Sequence, residues 1–371
     1  MNVGQVTFFY SSSNYGQILQ AYALQKVLNS RGHNCFLVNH GKNITYSLRD
    51  KFKRRVLAFF NYLDIPNFSL KSLNAINRAA QFNKFKEQHL QLGPYVADIT
   101  KSSFDADCFI TGSDQVWNHS LFTNVEKELR FYFLTFIKNN EIPAFSYAAS
   151  FGFEKLDSSL TSTYKELIKK LKKVSVREES GKKISTELGV ENALVVPDPT
   201  LLLSKEDWKN LLQEKKSTNL KKKVFIYSLE KDFEIFLGEI KYLRPNRSLE
   251  VIHVYPNHRL ETHTLSIQEW LQEISEASYV ITNSFHGTVF SIIFEKPFIT
   301  CLRTGSASIS NDRVISLLNK LGLENQIAKD PSEFKEKLET INNSSIDWSL
   351  VKKRLDEFRK TGFDFLESIG L

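Results

Sequence analysis

Long hydrophobic runs are missing from this 371-residue sequence. No stretch approaches the ~20 apolar residues needed to cross a bilayer, which argues against a helical membrane span. The amino terminus, MNVGQVTFFY, has no charged head, no long apolar stretch and no small-residue cleavage site. It reads as the first strand of the fold and not as a signal peptide. Cysteine is scarce: Cys35, Cys108 and Cys301 are odd in number and far apart. Each lies in an apolar, strand-like context, which predicts buried thiols in place of disulfides or metal ligands. A reducing cytoplasm fits, so the sequons at Asn43, Asn118 and Asn246 carry no meaning. Neither a zinc-finger spacing nor an RNP motif is present, so nothing points to nucleic acid. There is no GxGxxG dinucleotide fingerprint, no metal-ligand cluster and no short internal repeat.

What is present is positive charge and a regular alternation of elements. The formal net charge is +7, which permits anionic partners without selecting one. Lysine-rich runs such as 165–173 are explained by a solvated helix face. Val6–Tyr10 reads as a strand, 16–31 as a helix stopped by Gly32, and Cys35–Asn39 as the next strand. That is a βαβ unit, which implies a parallel sheet. Residues 41–103 break the rhythm as a charged, aromatic, helical insertion punctuated by Pro66 and Pro94. Alternation resumes at Cys108–Thr111, Ala144–Ala148, a helix from about Ser162, and Val174–Val176. Val196-Pro197-Asp198-Pro199 reads as a linker or hinge. A second series follows, with strands at 224–229, 249–254, 279–283 and 298–302 and helices between them. The chain is thus expected to form α/β domains over 1–190 and 191–345. A C-terminal helix, 346–371, would pack back on the first. Ligands usually bind in the cleft between such units.

Four strand-to-helix junctions carry chemistry. NSFHGTVF, Asn283–Phe290, puts Ser284, Phe285, His286 and Gly287 at a helix start, where free amides and the helix dipole attract anions. The same residues would also serve as a helix cap around a packed histidine. SSSNYGQ, Ser11–Gln17, offers Asn14 and Gln17 to a ligand or caps a turn. TGSDQVWN, Thr111–Asn118, places Ser113 and Asp114 at a sheet edge, where Asp114 can act as an acid, a base or a cap. SVREES, Ser175–Ser180, releases Arg177 from a strand; its guanidinium can grip a phosphate or carboxylate, or pair with Glu178 or Glu179. Outside these, KFKRRVLAFF, Lys51–Phe60, can be a basic amphipathic helix on an anionic membrane or an ordinary core-packed one.

In this order, NYGQILQAYAL, FITGSDQVWN, SYAASFG, SVREES, VVPDPTLLL, ITNSFHGTVFSIIFEKPFI and NDRVISLLNKLGL resemble the polysaccharide pyruvyl transferase family over about residues 4–325. The resemblance implies two Rossmann-like domains in a GT-B-like arrangement, their parallel sheets facing across a cleft. It also implies transfer of a pyruvyl group from phosphoenolpyruvate onto two hydroxyls of a sugar in a capsule, exopolysaccharide or cell-wall precursor. The family's phosphoenolpyruvate-binding arginine falls on Arg177 and its histidine on His286, with Phe285 at the donor site by its backbone. His286 would protonate the departing phosphate and Asp114 would activate an acceptor hydroxyl. Arg177 and the Phe285–Gly287 helix start would hold the donor. Asn14, Gln17, Ser113, Asn283 and Ser284 are candidates for lining the cleft. No cofactor beyond the donor is called for. The acceptor would be a lipid-linked oligosaccharide met at the inner face of the plasma membrane. A nucleotide-sugar glycosyltransferase of the same architecture, or a non-catalytic carbohydrate-binding or assembly protein, would share the cleft.

Overall fold

The structure is a computed structural model that describes residues 1–40, 70–101, 104–139, 141–212, 222–229, 233–240, 249–256, 264–341 and 345–371. The basic segment Lys51–Phe60 and the lysine-rich stretch before Lys222 lie outside the described residues.

Two parallel sheets organise the chain. The first contains β1 (Asn2–Val6), β2 (Asn34–Leu37), β3 (Cys108–Thr111), β4 (Ala144–Ala149), β5 (Lys173–Val176) and β6 (Leu194–Val195), in the order β2-β1-β3-β4-β5-β6. The second contains β7 (Lys222–Tyr227), β8 (Leu249–Val254), β9 (Tyr279–Thr282), β10 (Phe298–Cys301) and β11 (Ile327–Ala328), in the order β11-β10-β9-β7-β8. β3, β4 and β9 are buried along their whole length. This is why they read as continuous apolar runs, as strands covered on both faces do.

The helices that position the site are α1 (Tyr15–Ser30), α2 (Leu70–His89), α3 (Val125–Tyr132), α4 (Thr161–Ile168), α5 (Glu179–Glu187) and α6 (Pro199–Leu202). They continue with α7 (Lys205–Lys209), α8 (Glu234–Ile240), α9 (Ile267–Glu276), α10 (Phe285–Ile293), α11 (Asp312–Leu321), α12 (Pro331–Thr340) and α13 (Trp348–Ser368). Among the described residues, no helix is long and apolar enough to cross a membrane. All three cysteines are free and buried.

One hydrophobic cluster runs through both sheets, from Val3 and Leu24 to Phe290 and Leu366. Tyr15, in the first turn of α1, stacks on Trp270 of α9 at 5.1 Å with 10° between ring planes. Its hydroxyl donates to the Leu265 carbonyl at 2.9 Å. α13 returns to the first sheet, where Lys173 Nζ donates to the Ser368 carbonyl and Arg31 pairs with Glu367.

Two sequence expectations change. The first strand ends at Val6, not Tyr10. Thr7–Tyr10 have strand-forming side chains but lie beyond the sheet, where Phe8 and Tyr10 line a cavity. The proline-marked segment, read as a linker or hinge without regular structure, enters a helix directly. Val196–Thr200 are buried, and Pro199 opens α6 with Asp198 as its cap. Proline at a first helical position is preset for the helix, so the paired prolines shape a tight buried turn.

Candidate active site

The carboxyl ends of β1, β3 and β5 meet the start of α10 around one buried carboxylate, Asp198. Its Oδ1 accepts from the Thr200 amide at 3.0 Å and the Thr200 hydroxyl at 2.7 Å. Its Oδ2 accepts from Ser113 Oγ at 3.1 Å and from Arg177 Nη1 at 2.9 Å. His286 Nε2 stands 3.6 Å from the same oxygen, in ion-pair range but beyond hydrogen-bond length. Burial alone would push the Asp198 carboxyl up; His286, Arg177 and Thr200 outweigh it and hold it well below the usual carboxylate range.

Arg177 and His286 therefore come together, from the first and second sheets, on a shared anion. Arg177 is fully committed to acidic company. Beside the Asp198 bond, Asp114 Oδ1 and Glu178 Oε2 each lie 3.8 Å from its nitrogens. Burial acts to lower its affinity for protons, but the three carboxylates prevail and raise it. Glu179, the other candidate partner, instead faces Lys320 at 3.8 Å. The Nε and Nη2 atoms of Arg177 are buried without a hydrogen-bond partner. The Phe285 ring covers the guanidinium at 4.5 Å.

A cavity of about 320 Å³ opens in front of this cluster. Asn14, Gln17, Asp114, Asn283, Ser284, Phe285 and His286 all line it. Arg177, Ser113 and Gly287 do not. Arg177 lies behind the wall formed by Asp114 and Phe285. Ser113 is buried, tying Asp198 to the Ala148 carbonyl at 2.9 Å. Gly287 donates its amide to Ser284 Oγ at 3.3 Å, so this donor of the helix start is already in use. Gly287 is glycine because a Cβ there would fall 2.4 Å from Thr282 Oγ1. Asn283 clamps Leu229, accepting from its amide and donating to its carbonyl, both at 2.7 Å. Asn14 caps α1, accepting from the Gln17 amide. Trp117 is core, stacked on Phe133 at 4.7 Å.

The imidazole of His286 is seated against Gly16. A Cβ at Gly16 would fall 2.0 Å from His286 Nδ1, so only glycine lets the two domains close here. His286 thus lies where the starts of α1 and α10 converge, a setting that favours negative charge nearby.

Sequence reasoning missed two residues. Asp198 had a signal: an ionisable side chain inside the apolar run VVPDPTLLL must be paired if it is buried. Arg313 had another: a cation in the first turn of a helix opposes the dipole unless an anion compensates. Arg313 lines the cavity, buried, and its Nε donates to the Ser310 carbonyl at 3.2 Å. Burial, reinforced by Arg177, pulls its pKa down to about 10, so it is still charged at neutral pH. Among the described residues, its two terminal nitrogens have no hydrogen bond and no carboxylate within ion-pair distance, though the charges of Glu178 and Asp114 act on it. Gln20, fully buried, holds the loops together by donating to Thr7 Oγ1, the Phe8 carbonyl and the Gln17 carbonyl and by accepting from the Ser113 amide.

Sequence comparison matches residues 14–306 to the family described as polysaccharide pyruvyl transferase. No curated protein matches the chain. Among solved structures, a UDP-N-acetylglucosamine 2-epimerase aligns at 8% identity and TM-score 0.51, covering 100% of this chain and 96% of its own. An alpha-glucosyltransferase in complex with UDP aligns at 10% identity and TM-score 0.51, covering 98% and 95%. At such identities the likeness is one of fold: two parallel-sheet α/β domains in the GT-B arrangement.

Proposed function

Because this chain belongs to the polysaccharide pyruvyl transferase family, matched over residues 14–306, we propose that it moves the pyruvyl group of phosphoenolpyruvate onto two hydroxyls of one sugar, forming a cyclic ketal. Membership itself makes it a transferase that modifies a polysaccharide or its precursor. One observation supports phosphoenolpyruvate as its donor. Arg313 presents two unclaimed guanidinium nitrogens to a small cavity that His286 also lines.

Phosphoenolpyruvate is a compact polyanion, and a guanidinium fork suits either its phosphate or its carboxylate. In this reading Arg313 grips the donor. Arg177 acts from behind the wall, where its charge is balanced by Asp198, Asp114 and Glu178. In the reaction the donor's methylene carbon gains a proton and C2 becomes oxocarbenium-like. The first sugar hydroxyl adds at C2, phosphate leaves, and the second hydroxyl closes the ring. Two hydroxyl protons leave the sugar, one balancing the new methyl C–H and one balancing the departing phosphate. Asp114, on the cavity wall, takes a proton from an attacking hydroxyl. His286 delivers one to the phosphate, and Asp198 compensates the imidazolium. A placed proton carrier of this kind contributes ~10²–10⁴-fold, and neutralising the departing phosphate adds to it.

Thermal shift tests the donor. A ligand that binds only the native state stabilises it by ~2.7 kcal/mol at a hundredfold excess over Kd. Phosphoenolpyruvate should raise Tm, and UDP- and GDP-sugars should not. Arg313→Ala should abolish that shift, and His286→Ala should keep it while stopping phosphate release. Stabilisation by a nucleotide sugar alone would replace this reading with a glycosyltransferase.

A further inference from the structure

A second, larger cavity of about 750 Å³ adjoins the first, and the two share Phe8 and Gln17 on their walls. It lies wholly on the first domain, between the loop after β1 and the length of α3 with its cap. We infer that it is the binding site for the body of the acceptor, a saccharide longer than one sugar, whose reacting ring enters the smaller cavity past Phe8 and Gln17. This rests on the transferase reading above.

Three features carry the inference. The first is size. A cavity of about 320 Å³ is at the small end of ligand sites, whereas the adjoining one is well inside the usual range of ~300–1,000 Å³. A compact donor and one reacting sugar ring share the former, which leaves the latter for the rest of the saccharide.

The second is chemistry. Phe8, Tyr10, Phe131 and Tyr132 bring aromatic surface, while Ser11–Ser13 and Asn124 bring hydroxyl and amide groups. Lys127 and Glu128 also line it, carrying opposite charges that give it no net sign. Sugars have apolar C–H faces and hydroxyl edges, so they match that mixture, and a purely apolar ligand does not.

The third is rigidity. Tyr10 is fixed by bonds of its hydroxyl to both the amide and the carbonyl of His40. Phe8 packs edge-on to Tyr132 at 4.9 Å. Gln17 Oε1 accepts the Ser11 amide at 2.9 Å, so the serine loop is held by a residue shared by both cavities. A prebuilt wall lowers the ordering cost of binding.

The test uses saturation-transfer NMR on the full chain without donor. The probes are methyl glycosides of glucose, galactose and N-acetylglucosamine, with cellobiose, maltose and chitobiose as longer saccharides. Ser12 is exposed and its side chain makes no bond among the described residues. Ser12→Trp therefore fills the cavity without disturbing the core. At least one disaccharide should take up more saturation than its monosaccharide, and Ser12→Trp should reduce that signal to background. The variant should keep the wild-type Tm rise with phosphoenolpyruvate, which shows that it is folded and that its donor site is intact. Equal saturation of wild type and variant would overturn the assignment, as would no transfer to any probe. Failure of the donor reading would show separately, as absence of the phosphoenolpyruvate shift in the wild type.

Discussion

At the residue scale, the chemistry depends on one acid. Asp198 faces Arg177, His286, Ser113 and Thr200 at once, and its removal would take from the buried Arg177 its one hydrogen-bonded carboxylate, leaving only Asp114 and Glu178 at 3.8 Å. Breaking one side of a buried pair costs about 3–5 kcal/mol, whereas replacing both sides by apolar groups is often neutral. Asp198→Asn should therefore lower the urea midpoint by that order. Adding Arg177→Met to Asp198→Leu should recover much of the loss but no activity. A midpoint unmoved by Asp198→Asn would show that the carboxylate does not hold the cluster together. Arg313→Lys keeps the charge but loses the fork, so the apparent affinity for phosphoenolpyruvate should weaken while Tm without ligand changes little. An unchanged affinity would take Arg313 out of the donor site. The positions of His286 and Asp114 were legible in the sequence because each follows a strand-like run, His286 in the first turn of a helix and Asp114 in the loop at a sheet edge. That Arg313, and not Arg177, faces the cavity was not legible, because both are arginines beside acidic residues and only packing separates them.

At the element scale, the site is made by two helix starts brought into contact. α1 begins with Asn14 as its cap and Tyr15 anchored on Trp270, which leaves Gly16 flush against His286. Gly16→Ala should destabilise the protein and impair turnover, since the added methyl and the imidazole cannot share the space. The same substitution in a His286→Ala background should cost markedly less. Residues in contact couple by ~0.5–3 kcal/mol in such double-mutant cycles, and strict additivity in urea unfolding would refute the contact. Periodicity located α1 within a residue, because a glycine stops it and Asn14 caps it, and the capping pattern of NSFHGTVF marked where α10 starts. It failed at Thr7–Tyr10, where side chains typical of a strand serve as cavity wall. Pairing partners end the sheet at Val6, and no local pattern encodes them.

At the scale of the whole molecule, both sheets share one core, and α13 ties the second domain back to the first. Leu366, fully buried in that core, should cost about 2–5 kcal/mol when cut to alanine, read as a fall in the urea midpoint. Acid stability follows from the buried acids. The folded Asp198 carboxyl titrates below its unfolded value, so the unfolded state takes up the proton first as pH falls. Its contribution is complete above the ordinary aspartate pKa of ~3.9 and is lost as pH drops below it. Glu178 has the opposite sign, because burial, only partly offset by Arg177 and Arg313, raises its carboxyl. Wild type should thus lose Tm steeply in acid, and Asp198→Asn should lose less. Parallel Tm profiles for the two proteins would contradict this account.

The sequence by itself determined the alternation of strands and helices, the parallel sheets and the junctions that carry Asn14, Asp114, Arg177 and His286. Those features are set by short-range periodicity, capping and turn chemistry, which a single strand of text preserves. Only the tertiary structure decided that Asp198 is the hub, that Arg177 is held behind the wall and Arg313 on it, and that Phe8 and Tyr10 leave the sheet to shape a cavity. Those outcomes depend on which distant carboxylates and rings share one desolvated volume, and that is fixed by the closing of the two domains on each other.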